Sequence, residues 1–192
     1  MRALLKKRNR SPLAALAWVV VTCLPEFSVQ AADHSHLYVT WSGLEPDKAA
    51  SAWYIKRYVD PQAVFEIRPQ GFLFDAGIPF DTPQARYRRT QSASTLESLL
   101  RDHPSDDPAI LKLGQLMHDI EINIWQPKRF PESAVIESRV TQLNGVAGGE
   151  GAPIECLIEL FDGVYVWLKS QHSDPMLLAQ PVGCTSAQGG VR

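Results

Sequence analysis

A helix-rich α+β fold, one domain with a small sheet that includes a strand-helix-strand unit, is predicted by three features of the sequence. Residues 37 to 68 alternate and then change period, reading strand, helix, strand. Apolar residues recur at helical spacing in two later segments, around 108–120 and 154–168. About 160 residues remain once an export-type N-terminus is set aside, enough for one hydrophobic core without help from metals.

The elements follow in order. Residues 1–31 predict a cleavable secretion signal: MRALLKKRNR is basic, PLAALAWVVVTCL is apolar but too short for a membrane span, and Val29 and Ala31 precede the expected cut. Of the chain's 19 Lys and Arg, five fall in this segment (Arg2, Lys6, Lys7, Arg8, Arg10), against Glu26 alone of its 21 Asp and Glu. The remainder therefore carries a formal charge of −6. That balance argues against nucleic acid and anionic membranes as partners and confines any anion site to a local patch. The export-type N-terminus itself points to a periplasmic or secreted protein.

Residues 32–36 form a short polar mature terminus, residues 37–171 the domain, and residues 172–192 a loop-like tail. HLYVTW is rich in β-branched and aromatic residues and predicts a strand. Asp47 is a fitting N-cap for a helix over 48–59 with Trp53 and Ile55 inward, and Asp60-Pro61 ends it before the strand AVFEIRP. A crossover of that length allows parallel strands. GFLFDAGIPFDTP reads as irregular and ARYRR as a third strand. Ser94 with Glu97 three residues on is a capping box for a helix ending near Asp102, and Asp107-Pro108 opens a longer helix. Residues 132–143 predict another helix, NGVAGGEGAP a flexible connection, and ECLIELFDGVYVWLKSQ a core helix with strand as the competing assignment.

Several segments taken together resemble the exported chromate-resistance family with a ChrB-like C-terminal domain. They are Ala50-Ser51-Ala52-Trp53-Tyr54-Ile55-Lys56-Arg57-Tyr58-Val59-Asp60-Pro61, Pro79-Phe80-Asp81, Ser94-Thr95-Leu96-Glu97, Asp106-Asp107-Pro108-Ala109 and Met117-His118-Asp119-Ile120-Glu121-Ile122, spread over residues 38–168. The resemblance implies a role in resistance to, or sensing of, chromate, and no defined reaction comes with it. Family members carry a His and a Cys where this chain has Arg89 and Ser94, which implies that metal or redox chemistry at those places is lost or incomplete. Regulators of the family place a DNA-reading region where this chain has an export signal, so no transcriptional role is implied.

Four sets of residues carry candidate chemistry. Arg57 offers its donor fork to a tetrahedral dianion such as chromate or sulfate, with Lys56 or an Arg from Arg86, Arg88 and Arg89 closing the site; the competing reading makes Lys56 and Arg57 solvated charges or pairs Arg57 with Asp60 or Asp119. His118, with Asp119, Glu121 or Glu97 completing an N/O site, could hold a divalent metal for a redox or detoxifying enzyme, although the second His of a helical zinc motif is missing; a buried His bonded to a carboxylate is the structural alternative. Cleavage after Ala31 would leave His34 third from a free amine, an arrangement that wraps Cu(II) or Ni(II) in a square plane. Cys156 and Cys184 could form a disulfide worth ~3 kcal/mol in an oxidising compartment. No Gly-x-Ser-x-Gly elbow occurs, and Gly148-Gly149-Glu150-Gly151 lacks the Lys and Ser/Thr of a phosphate loop.

Overall fold

A computed structural model describes residues 35–146 and 152–170. Within them the order is β1 (Leu37–Trp41), α1 (Pro46–Tyr54), a π-helical turn (Ile55–Val59), β2 (Val64–Arg68), β3 (Ile78–Pro79), α2 (Thr95–Asp102), α3 (Pro108–Glu121), α4 (Pro131–Val146) and α5 (Ile154–Lys169). The predicted helix-rich α+β domain is what the chain forms. Its sheet is wholly parallel in the order β2-β1-β3, with Leu37 opposite Val64 and Tyr38 opposite Ile78.

Helix α1 is the hub. Every residue from Asp47 to Ile55 is buried, and the helix packs on α5, α2, α3 and α4. Alanines at 49, 50 and 52 let those neighbours approach closely, while Trp53 and Ile55 fill the spaces between them. The Trp53 indole N–H is not stranded by this burial, because it donates to Asp162 of α5 at 2.8 Å. The π-helical turn closes with Asp60 N–H bonded to the Ile55 carbonyl at 2.7 Å, five residues back.

Three expectations are corrected. Asp47 does not cap α1: Glu45 holds that place with Pro46 in the first turn, since proline's fixed φ suits a position whose N–H has no helical partner. ARYRR does not form a third strand: Ala85 and Tyr87 are buried, but the segment makes a single bridge, Phe80 to Tyr87. The third strand is instead the two residues Ile78–Pro79, in the segment read as irregular. It is kept short at the sheet edge by a proline that cannot donate.

Gly77 makes β3 possible. Its φ is +83°, and a Cβ there would lie 2.9 Å from both the Leu37 carbonyl oxygen and Val39 Cγ1. Gly77→Ala is expected to cost at least ~2 kcal/mol and to detach β3 from β1, read as a drop in thermal midpoint and loss of amide protection at Phe80. An unchanged midpoint would show that the close approach of β3 to β1 is not needed.

Candidate functional site

From β1 the chain passes through α1 to β2 on one side; β3 then joins β1 on its other side. Between β1 and β3 the connections diverge, leaving a crevice beyond the carboxyl ends of the strands, the place where open parallel sheets bind ligands. A cleft of about 600 Å³ lies there. Ser42, Gly43 and Glu45 follow β1, Gln70 follows β2, and Asp81 and Thr82 follow β3. Trp41 forms one wall and Arg88 and Arg89 another.

Its inner charge is Lys48, on the first turns of α1 and 5 % exposed. The ammonium donates to the Trp41 carbonyl at 2.8 Å and the Gly43 carbonyl at 2.9 Å, tying down the loop after β1, and lies 3.6 Å from Asp81. Asp81 stands at φ +48°, a left-handed conformation that Asp tolerates better than most residues and that costs about 1 kcal/mol or more. Its carboxylate accepts from Thr95 Oγ1 at 2.5 Å, joining the cleft floor to the start of α2. Burial pushes the Asp81 pKa up, with Glu45 adding to the push; the Thr95 bond, Lys48 and Arg89 pull against it.

Two further acids sit behind this wall. Asp47 is buried, and its oxygens accept from the N–H groups of Thr95 at 2.5 Å and Leu96 at 3.0 Å, so a residue of α1 caps α2. Burial and the nearby Asp81 charge raise its pKa to about 7, against the lowering by those two N–H bonds. Glu121, at the end of α3, is also raised, first by burial and then by Glu45. It accepts a hydrogen bond from Arg89 Nη1, whose distance to Glu45 is 3.8 Å.

Arg88 and Arg89 both leave donors to the cleft. Arg88 uses Nη1 on the Ala85 carbonyl, and Arg89 uses Nη1 on Glu121 and Glu45. The remaining guanidinium nitrogens of each have no partner among the described residues. Thr82 adds a buried hydroxyl, 3 % exposed as a residue and unpartnered among the described residues.

The residues predicted from sequence are dispersed. Lys56 donates to the Ala63 carbonyl at 2.8 Å, and Arg57 forms a two-pronged pair with Asp162 of α5 at 2.9 and 2.6 Å, not with Asp60 or Asp119. Of the arginines read as closing the site, Arg88 and Arg89 line the cleft, and Arg86 pairs with Asp102 at 2.8 Å. His118 Nδ1 meets Glu97 at 3.0 Å, but the next residue along the helix faces elsewhere: Asp119 accepts from the N–H groups of Arg129 and Phe130, from Ser133 Oγ and from Asn123. The three-residue N/O set is therefore not assembled, and among the described residues no three His, Cys, Asp or Glu converge as a metal-holding group. Cys156 is buried and disulfide-bonded. Cys184, His34 and the whole of residues 1–31 lie outside the described residues.

Sequence reading missed Lys48, Glu45, Asp81 and Thr82. One signal was available: Asp81 and Thr82 sit between two prolines in a loop that carries more polar groups than a turn needs.

Fold and site together define a helix-rich α+β domain with a charged cleft at the carboxyl edge of a small parallel sheet. The family model for the ChrB C-terminal domain matches residues 38–168, and the chain belongs to that family. It is a chromate-resistance-related protein. Comparison with curated proteins and with solved structures finds no match.

Proposed function

We propose that this protein binds a tetrahedral oxyanion of the chromate and sulfate type in the cleft between β1 and β3, as part of an envelope response to metal stress. The observation that carries the reading is the pair Arg88 and Arg89, side by side on the rim with most of their donor forks uncommitted. Guanidinium groups suit such dianions because two parallel N–H donors match two oxygens. The first turn of α1 opens at the same cleft, and its N-cap makes no side-chain bond, so the positive end of the helix adds to the attraction. The basic and then apolar run of residues 1–31 supports a periplasmic setting. No residue is assigned a catalytic step.

Calorimetric titration of the purified protein with sulfate and with chromate tests this. Arg88→Ala and Arg89→Ala should each weaken binding about tenfold or more, while Arg57→Ala, whose partner is Asp162, should leave it unchanged. Sulfate should bind more tightly as pH falls, because Asp81 and Glu121 both have raised pKa values and each proton removes a negative charge from the cleft. Absence of heat at millimolar anion, or equal affinity in the Arg88 and Arg89 variants, would rule the proposal out.

A further inference from the structure

The cleft is larger, and more mixed in charge, than an inorganic oxyanion requires. Such an ion displaces about the volume of two waters, on the order of 60 Å³, against about 600 Å³ here. That capacity falls in the range of pockets for organic molecules. Beside Arg88 and Arg89 stand two acids, Glu45 and Asp81, that an oxyanion leaves unused. Glu45 is 61 % exposed at its side chain, and its ion pair with Arg89 spans 3.8 Å. Asp81 Oδ1 is bonded to Thr95, but Oδ2 has Lys48 at 3.6 Å, too far for a hydrogen bond. Free guanidinium donors and loosely paired carboxylates therefore line the same cleft.

We infer that the cleft takes a zwitterion, an amino acid or short peptide, with its carboxylate on Arg88 and Arg89 and its ammonium on Glu45 and Asp81. This rests on the reading that the two arginines form an anion site and extends it to the other half of the ligand. An ammonium is the cation that suits these acids, since it needs one or two acceptors whereas a metal ion needs at least three converging ligands, and no such group occurs among the described residues. The Gln70 amide supplies a neutral partner for the peptide groups between the two charges.

Triglycine, N-acetyltriglycine, triglycinamide and sulfate, each titrated calorimetrically into the full-length protein, decide it. Triglycine should bind and compete with sulfate. Acetylating its amine or amidating its carboxylate should each weaken binding tenfold or more. The exposed Glu45→Gln should erase the preference for the free amine without altering the circular dichroism, and Arg88→Ala should erase the preference for the free carboxylate. Binding of N-acetyltriglycine as tight as that of triglycine would overturn the inference. So would sulfate binding with no triglycine binding at 10-millimolar order, which would leave the oxyanion reading intact; silence from both ligands would remove both.

Discussion

Asp119→Ala should lower the free energy of unfolding by about 4 kcal/mol, the largest loss expected from any single polar side chain in the domain. The carboxylate is 1 % exposed and organises the connection between α3 and α4, accepting from Arg129 N–H at 2.9 Å, Phe130 N–H at 3.2 Å, Ser133 Oγ at 2.7 Å and Asn123 Nδ2 at 3.0 Å. Removing it strands donors in a region that water reaches poorly, so the cost is that of several unsatisfied groups and not of one contact. For a domain of this size the thermal midpoint should fall by roughly 10–15 °C. Burial alone would raise the Asp119 pKa, but the N–H of Arg129, the Asn123 amide, the Ser133 hydroxyl and the N–H of Phe130 outweigh it and hold the group at about 2. A carboxylate depressed below its unfolded value stabilises the fold above about pH 4 and loses that contribution as pH falls toward 2. Acid unfolding of Asp119→Ala should therefore begin from a lower stability and show a shallower slope between pH 4 and 2. A midpoint within 2 °C of the parent, an order-of-magnitude threshold, would show that the loop is held by other means.

Asp47→Ala should cost about 3 kcal/mol by a related mechanism that acts between helices. Thr95 and Leu96 are fully buried, and their N–H groups at the start of α2 find their acceptor on α1. The pH dependence has the opposite sign to that of Asp119. With a folded pKa of about 7 against an ordinary value of 3.8, the native state holds a proton that the unfolded chain has released, so this group makes stability fall as pH rises from about 4 to 7. Asp47→Asn keeps an acceptor and removes the titration. It should cost less than the alanine variant and flatten the decline in thermal midpoint between pH 5 and 7. A decline as steep as that of the parent would assign it to other groups.

The legible parts of the chain were those in which cause and effect lie within a few residues. Ser94 and Glu97 cap α2 in both directions, and Asp107 accepts from Ala109 N–H at 2.9 Å, because both contacts close inside one turn. Strand-helix-strand was readable from the change of period, and Trp53 and Ile55 from their apolar character in a helical segment. The candidate site was legible only at Arg88 and Arg89, two of the arginines read as closing an anion site. Its other groups come from the first turns of α1, the loops after three strands and the end of α3, and nothing in the local pattern around Lys48 or Asp81 announces that they meet. Arg57 shows the same limit from the other side. Its neighbours offered Asp60, whereas the structure gives it Asp162, 105 positions away.

Periodicity, capping signals and proline placement thus determined, from the sequence by itself, that this chain forms a helix-rich α+β domain and where most of its elements begin and end, since these depend on backbone preferences acting over one or two turns. Only the tertiary structure decided which charges are spent and which are left over. Burial makes an unpaired carboxylate or guanidinium costly, so Asp47, Asp119 and Arg57 each take the partner that packing brings within reach, while Lys48, Asp81, Arg88 and Arg89 meet where the strand connections diverge, in the cleft between β1 and β3.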